Sequence, residues 1–296
     1  MVVPELPVPY PTEEYLAQAA LPPIPLPPGT PAQPLLVILD LNGTLLFRSV
    51  NKKNHATSRN PVVRPYLPFF LHYLFSNFNV MVWSSAHPDN VRAMVRAIML
   101  EHQQDKLCAI WARDTLGLNK LQMRSKLIVY KTLEPVWEKI GISNPTREDR
   151  HLRPWSQRNT ILIDDSSVKA TAQPYNLVEV STWENPMKQQ ADKELVSVAG
   201  YLEELRTGNW SDVSSYMRAH PFSSGDKWAA KCQEWFWGPS GKFFWKVIGN
   251  PYKKRLAADK MLKKQQEAWQ EHGVEKVLDG TIVPFQAKEE YTKGPR

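Results

Sequence analysis

Residues 35–46 read LLVILDLNGTLL. Five apolar residues run into Asp40, and a Gly43-Thr44 turn follows after Leu41 and Asn42. A short run with no polar face is the pattern of a strand covered on both sides. Its end hands the Asp40 carboxylate to a loop, at the edge where open α/β sheets hold their ligands. Asn42 places an amide on that same loop.

Four further runs share the pattern: NVMVW (79–83), LCAIW (107–111), TILI (160–163) and LVEV (177–180). Helical stretches lie between them. In PDNVRAMVRAIMLEH, Val91, Met94, Val95, Ile98 and Met99 share one face at helical spacing and read as core. In KTLEPVWEKIG, Thr132 is the expected N-cap and Gly141 the expected left-handed end. Strands alternating with helices predict an α/β domain whose mostly parallel central sheet is flanked by helices.

The polar residues that follow these strands are Asp40, Ser84 and the pair Asp164-Asp165, with Lys131 before a helix. Three carboxylates brought to one edge repel each other unless a cation joins them. An all-oxygen ligand set beside a phosphate suits Mg²⁺. An aspartate can attack phosphorus, a lysine can neutralise the transferring group, and a hydroxyl can hold one of its oxygens.

These elements stand in the order of the haloacid-dehalogenase (HAD) superfamily motifs. The flanks resemble one branch of it, the RNA polymerase II C-terminal-domain phosphatases and NIF-type phosphatases. RPYLPFFLHYLF (64–75), VYKTL (129–133), ILIDDSSVKATAQPYNLVEV (161–180) and DKELVSVAGYLEEL (192–205) with Asp212-Val213 carry the resemblance, over about residues 35–218. It implies a HAD-like Rossmannoid fold and a Mg²⁺-dependent phosphomonoesterase working through an aspartyl-phosphate. Asp40 is then similar to the nucleophile and a metal ligand. Asn42 takes the acid/base position, whose backbone carbonyl also meets the metal. Thr44 supports the loop, Ser84 with Ser85 matches the phosphate-binding second motif, Lys131 the third, and Asp164 and Asp165 the metal motif. Ordinary turn capping would also account for Thr44 and Ser84.

The chain departs from that pattern in three places. Asn42 replaces the usual second aspartate and cannot donate a proton as a carboxylic acid does. A general acid is typically worth about 10²–10⁴-fold in rate. Thr132 stands where an aspartate usually follows the lysine, and Gly43 where the polymerase phosphatases carry an acid. Two readings follow: an attenuated phosphatase acting on a phosphoprotein or other phosphate ester, or a pseudophosphatase whose pocket binds a phosphoprotein or nucleic acid.

The ends of the chain read differently. Residues 1–34 hold 11 of the 25 prolines and predict an extended arm, with one short helix from Thr12 to about Ala20 capped by Thr12. Such an arm is a spacer, a strap on its own core, or a ligand for a proline-recognising domain. Residues 35–218 form the expected phosphatase domain and 219–296 an aromatic, basic extension with a helix from about Tyr252 to His272. Trp235, Phe236, Trp237, Phe243, Phe244 and Trp245 either dock on the core or stack on single-stranded nucleic acid. Residues 48–64 hold five Lys/Arg and no acid, and 241–264 hold eight Lys/Arg against Asp259 alone, so both could meet RNA or DNA. The first is also the candidate flap over the site. No apolar run reaches the roughly 18 residues of a membrane span. The N-terminus lacks a signal-peptide pattern, and two cysteines build no disulfide framework, so the expected location is nuclear or cytoplasmic.

Overall fold

The computed structural model describes residues 5–48, 61–141, 155–184, 187, 189, 191–225 and 227–228. The chain divides into two units, Met1–Phe47 with Val63–Trp235, and Arg48–Val62 with Phe236–Arg296. Of the second unit only Arg48, Pro61 and Val62 are among the described residues. Residues 49–60 of the candidate flap (48–64), the aromatics from Trp235 onward, the basic 241–264 stretch and the expected C-terminal helix lie outside them.

The first unit is built on a parallel sheet of β1 (Leu36–Leu39), β4 (Asn79–Trp83), β5 (Leu107–Trp111), β6 (Thr160–Asp164) and β7 (Leu177–Glu179), with β2 (Leu46–Phe47) and β3 (Val62–Val63) bounding the segment after β1. The strand order is β5-β4-β1-β6-β7, every ladder parallel. The chain leaves β1 for β4 and β5 on one side, then returns to place β6 and β7 on the other. That reversal opens a crevice at the C-terminal end of β1, where Asp40 stands.

The pleat divides each strand between two covered faces. Leu36, Ile38, Met81, Trp83 and Leu162 form one buried cluster with Leu133, Val136 and Trp155. Val37, Leu39, Val80, Val82, Ile161 and Ile163 point the other way and are equally buried. Burial falls off at the two edges. LCAIW reads as a covered strand, yet β5 has neighbours on one side only and Ile110 is exposed.

The flanking helices are α2 (Leu67–Asn77), α3 (Pro88–Ile98), α4 (Glu101–Gln104), α5 (Lys120–Met123), α6 (Glu134–Lys139), α7 (Glu194–Thr207) and α8 (Val213–Ala219), preceded by α1 (Glu13–Ala19) in the arm. In α3 the apolar face is buried as read, through Val91, Met94 and Val95. The helix stops at Ile98, so Met99 reaches the core from an extended backbone. The expected caps of α6 do not form. Leu133, not Thr132, precedes it, and the Leu133 N–H is taken by the Gln173 side chain at 2.8 Å. Pro135 in the first turn removes a further N–H that would need capping. Gly141 has no positive φ, because Ile140 leaves the helix through an extended backbone one residue earlier.

The arm is fastened to this unit. Thr12 caps α1, as read from the sequence. Tyr15 is buried, the Leu26 N–H donates to Asn209 O at 2.8 Å, and the Ser211 N–H donates to Ile24 O at 2.8 Å.

Candidate active site

The loop after β1 is held by its own backbone. Leu41 O accepts from the N–H groups of Thr44, Leu45 and Leu46, and the Gly43 N–H donates to Leu46 O at 2.8 Å. Gly43 has φ +93°, a conformation that L side chains rarely adopt. A Cβ there would also lie 2.4 Å from Asp165 Oδ2, so glycine is what lets the Asp165 carboxylate lie over the loop. Behind the loop Arg64 is wholly buried. It donates to Thr44 O at 3.1 Å and Ser181 Oγ at 2.7 Å, and pairs with Asp192 at 2.8 Å. The arginine of RPYLPF is therefore a brace for the loop.

Asp40 is 1% exposed. Its N–H donates to Ile163 O at 3.0 Å, which ties the end of β1 to β6. Its carboxylate accepts from Lys131 Nζ at 2.9 Å and from Thr44 Oγ1 at 3.4 Å. Lys131 is completely buried and also donates to Asp164 Oδ2 at 2.5 Å, so one ammonium joins the ends of β1 and β6. The ligand oxygens of Asp40, Asp164 and Asp165 lie within 4.8 Å of one another.

Burial pushes the Asp40 carboxyl up and Asp164 adds to this, while Lys131 and Lys169 pull against them. Burial likewise raises Asp165. Asp164 is also buried, but the two lysines outweigh that and hold it below the usual carboxylate range. Raised acids in an all-oxygen cluster are what a hard divalent cation relieves, and three carboxylates fit Mg²⁺.

The residues expected at the site thus divide clearly. Asp40, Thr44, Lys131, Asp164 and Asp165 form one bonded cluster. Ser84 is buried at the end of β4, β1's neighbour, and accepts from the Ala86 N–H at 3.4 Å. Ser85 is half-buried beside it, and Asn42 is exposed on the Asp40 loop.

Sequence reasoning passed over Lys169. Its Nζ donates to Asp164 Oδ1 at 2.8 Å and to Asp165 Oδ1 at 3.3 Å. The spacing Asp165–Lys169, four residues apart, was the available signal. Asp212 is the first residue of the Asp-Val pair. It is the N-cap of α8, accepting from the Ser214 N–H at 2.8 Å and the Ser215 N–H at 3.4 Å.

Residues 35–214 match the profile of the family described as NLI interacting factor-like phosphatase. An uncharacterized FCP1 homology domain-containing protein of Schizosaccharomyces pombe is 42% identical over 222 residues, 72% of this chain and 86% of that one. The ubiquitin-like domain-containing CTD phosphatase 1 of Xenopus laevis is 22% identical over 186 residues, 62% of this chain and 53% of its own length. A solved structure of Fcp1, an RNA polymerase II CTD phosphatase, superposes loosely at TM-score 0.36 and 13% identity, over 82% of this chain and 67% of that one. With the profile covering more than half of its length, the chain belongs to the NLI interacting factor-like phosphatases.

Proposed function

We propose that the chain is a Mg²⁺-dependent phosphomonoesterase acting on a phosphoprotein, with Asp40 as nucleophile. The observation that carries this is the Asp40 carboxylate, buried at the β1 end and oriented by Lys131 and Thr44, with Asp164 and Asp165 beside it. An Asp40 oxygen attacks phosphorus as the bond to the leaving alkoxide breaks, giving an aspartyl-phosphate. Water then opens that acyl phosphate and regenerates Asp40. Lys131 offsets the charge of the transferring group, and Ser84 with Ser85 offers hydroxyls to its oxygens. Mg²⁺ would be held by Asp40, Asp164, Asp165 and the Asn42 carbonyl, and would draw charge from the phosphoryl oxygens.

A phosphoprotein substrate is favoured by the relatives named as CTD phosphatases. The nuclear or cytoplasmic location rests on composition; among the described residues no helix is long and apolar enough to cross a membrane. The basic segments 48–64 and 241–264 would add RNA or DNA contacts, and the proline-rich arm a proline-recognising partner.

A second reading rests on Asn42. Without a carboxylic acid on the loop, the pocket would bind a phosphorylated or nucleic-acid partner and turn it over slowly or not at all.

An assay with Mg²⁺ on p-nitrophenyl phosphate and phosphoserine peptides separates the two. The enzyme reading expects Mg²⁺-dependent release of phosphate that is abolished in Asp40→Asn. It also expects thermal stabilisation by millimolar Mg²⁺ that is lost in Asp165→Ala. Binding of phosphopeptide without turnover, in wild type and Asn42→Asp alike, selects the pseudophosphatase.

A further inference from the structure

The acidic cluster holds a second lysine that the mechanism above does not use. Asp40, Asp164 and Asp165 face both Lys131 and Lys169. The two lysines have different settings. Lys131 is fully buried and pairs with Asp40 and Asp164. Lys169 reaches in from the surface, with 18% of its side chain exposed, and spans Asp164 and Asp165. Its position is set by the backbone. The short 3₁₀ turn Ser167–Ala170 carries it, and Lys169 O accepts the Lys131 N–H at 2.7 Å, so the two lysine-bearing segments are tied together.

Asp165 is where this matters. One of its oxygens, Oδ1, accepts from Lys169, and the other lies over Gly43. A divalent cation drawing on the three carboxylates must share Asp165 with an ammonium already there, or displace it. With both lysines charged, the cluster offers a net single negative charge in place of two. At short range and partial burial, one unit of charge changes an ion's affinity by at least about tenfold.

We propose that Lys169 is a built-in counter-ion of the Mg²⁺ pocket: it holds the Asp164–Asp165 pair in place without metal, and it lowers the pocket's affinity for Mg²⁺ by competing for Asp165. This rests on the metal reading above, and it makes Mg²⁺ occupancy a graded property of the chain. Removing the competing charge strengthens metal binding at the expense of the metal-free fold. A residue whose only role were to position Asp165 for the metal would do the opposite.

The test is calorimetric titration of MgCl₂ into the full-length protein, with metal-free melting in EDTA alongside. Lys169→Met and Lys169→Gln are expected to bind Mg²⁺ about tenfold tighter or more than wild type. Both should melt lower in EDTA and gain more from Mg²⁺. Lys169→Arg, which keeps the charge, should stay close to wild type in both measurements. Lys169→Gln retains a donor toward Asp164 and carries the test should Lys169→Met not fold. Unchanged or weakened Mg²⁺ affinity in the two neutral variants overturns the proposal while leaving the metal reading standing. Tightening of equal size in Lys169→Arg also overturns it, since charge would not be the cause. If wild type and all variants take up no Mg²⁺ at millimolar concentration, the metal reading fails and this inference falls with it.

Discussion

On the phosphatase reading, Asn42 sets the rate of the acid step. It is exposed on the loop that carries Asp40, and an amide has no acidic proton to give. The loss should matter most for an alkoxide such as that of phosphoserine and least for a phenolate. Wild-type activity is therefore expected to favour p-nitrophenyl phosphate over phosphoserine peptide. Asn42→Asp should raise turnover on the peptide by about 10²-fold or more, and less on the aryl ester. Equal gains on both substrates would show that proton donation is not what Asn42 lacks. Gly43, next to it, belongs to the same chemistry. Its positive φ and the closeness of Asp165 leave no room for a side chain. Gly43→Ala is expected to cost about 1–3 kcal/mol in stability and to weaken Mg²⁺ binding in the same titration, because Asp165 must move. An unchanged Mg²⁺ affinity would mean that Asp165 does not need this position to serve as a ligand.

At the scale of elements, the strands were legible because burial on both faces leaves an unambiguous apolar run. Asp40 and Asp164 were legible with them, as the first carboxylates past the ends of such runs. What escaped were residues whose roles depend on partners far away in sequence. Gln173 replaces the cap expected from Thr132 through a contact across 40 residues. Lys169 joins the site only once β6 lies beside β1. Arg64 was visible as part of a motif, but its work as a brace depends on Asp192 and on the Thr44 carbonyl, neither of them near it in the chain. That brace can be tested. Arg64→Ala strands Asp192 and Thr44 O and is expected to cost about 3–5 kcal/mol, the usual penalty for breaking a buried ion pair. Arg64→Lys keeps the charge but lacks the planar fork that reaches Thr44 O, Ser181 and Asp192 together, so it should recover only part of that loss. Full recovery by lysine in a urea melt would mean that charge, and not the forked geometry, holds the loop.

Across the whole molecule the least expected feature is how firmly the proline-rich arm is attached. Proline excludes most of the arm from helix and sheet, and its exposed prolines would suit a spacer equally well. The short α1 between the proline runs changes that. The Tyr15 hydroxyl donates to Asn176 Oδ1 at 3.0 Å and accepts from the Tyr175 N–H at 2.9 Å, and Tyr15 O accepts from Gln157 Nε2 at 2.9 Å. Asn176 in turn spends its amide on Gln157 O and Thr160 O, at the start of β6. Gln18 reaches Asp212, the cap of α8. The arm is thereby coupled to the strand that ends in Asp164. Burial pushes the Tyr15 phenol well above the usual tyrosine range, so it stays a donor throughout the working pH range. Tyr15→Phe takes a partner from the buried Asn176 Oδ1 and from the part-buried Tyr175 N–H, and should cost about 1–3 kcal/mol. Tyr15→Ala also empties an aromatic-sized hole and should cost about 3–5 kcal/mol. Tyr10, exposed on the same arm, is the control, and its alanine variant should melt with the wild type. Deletion of residues 1–34 is expected to lower the melting temperature at least as far as Tyr15→Ala does, and to lower Mg²⁺ affinity as the β6 end loosens. A deletion that melts with the wild type would return the arm to the role of a spacer. One that melts lower but keeps its Mg²⁺ affinity would confine the strap to stability and remove it from the site.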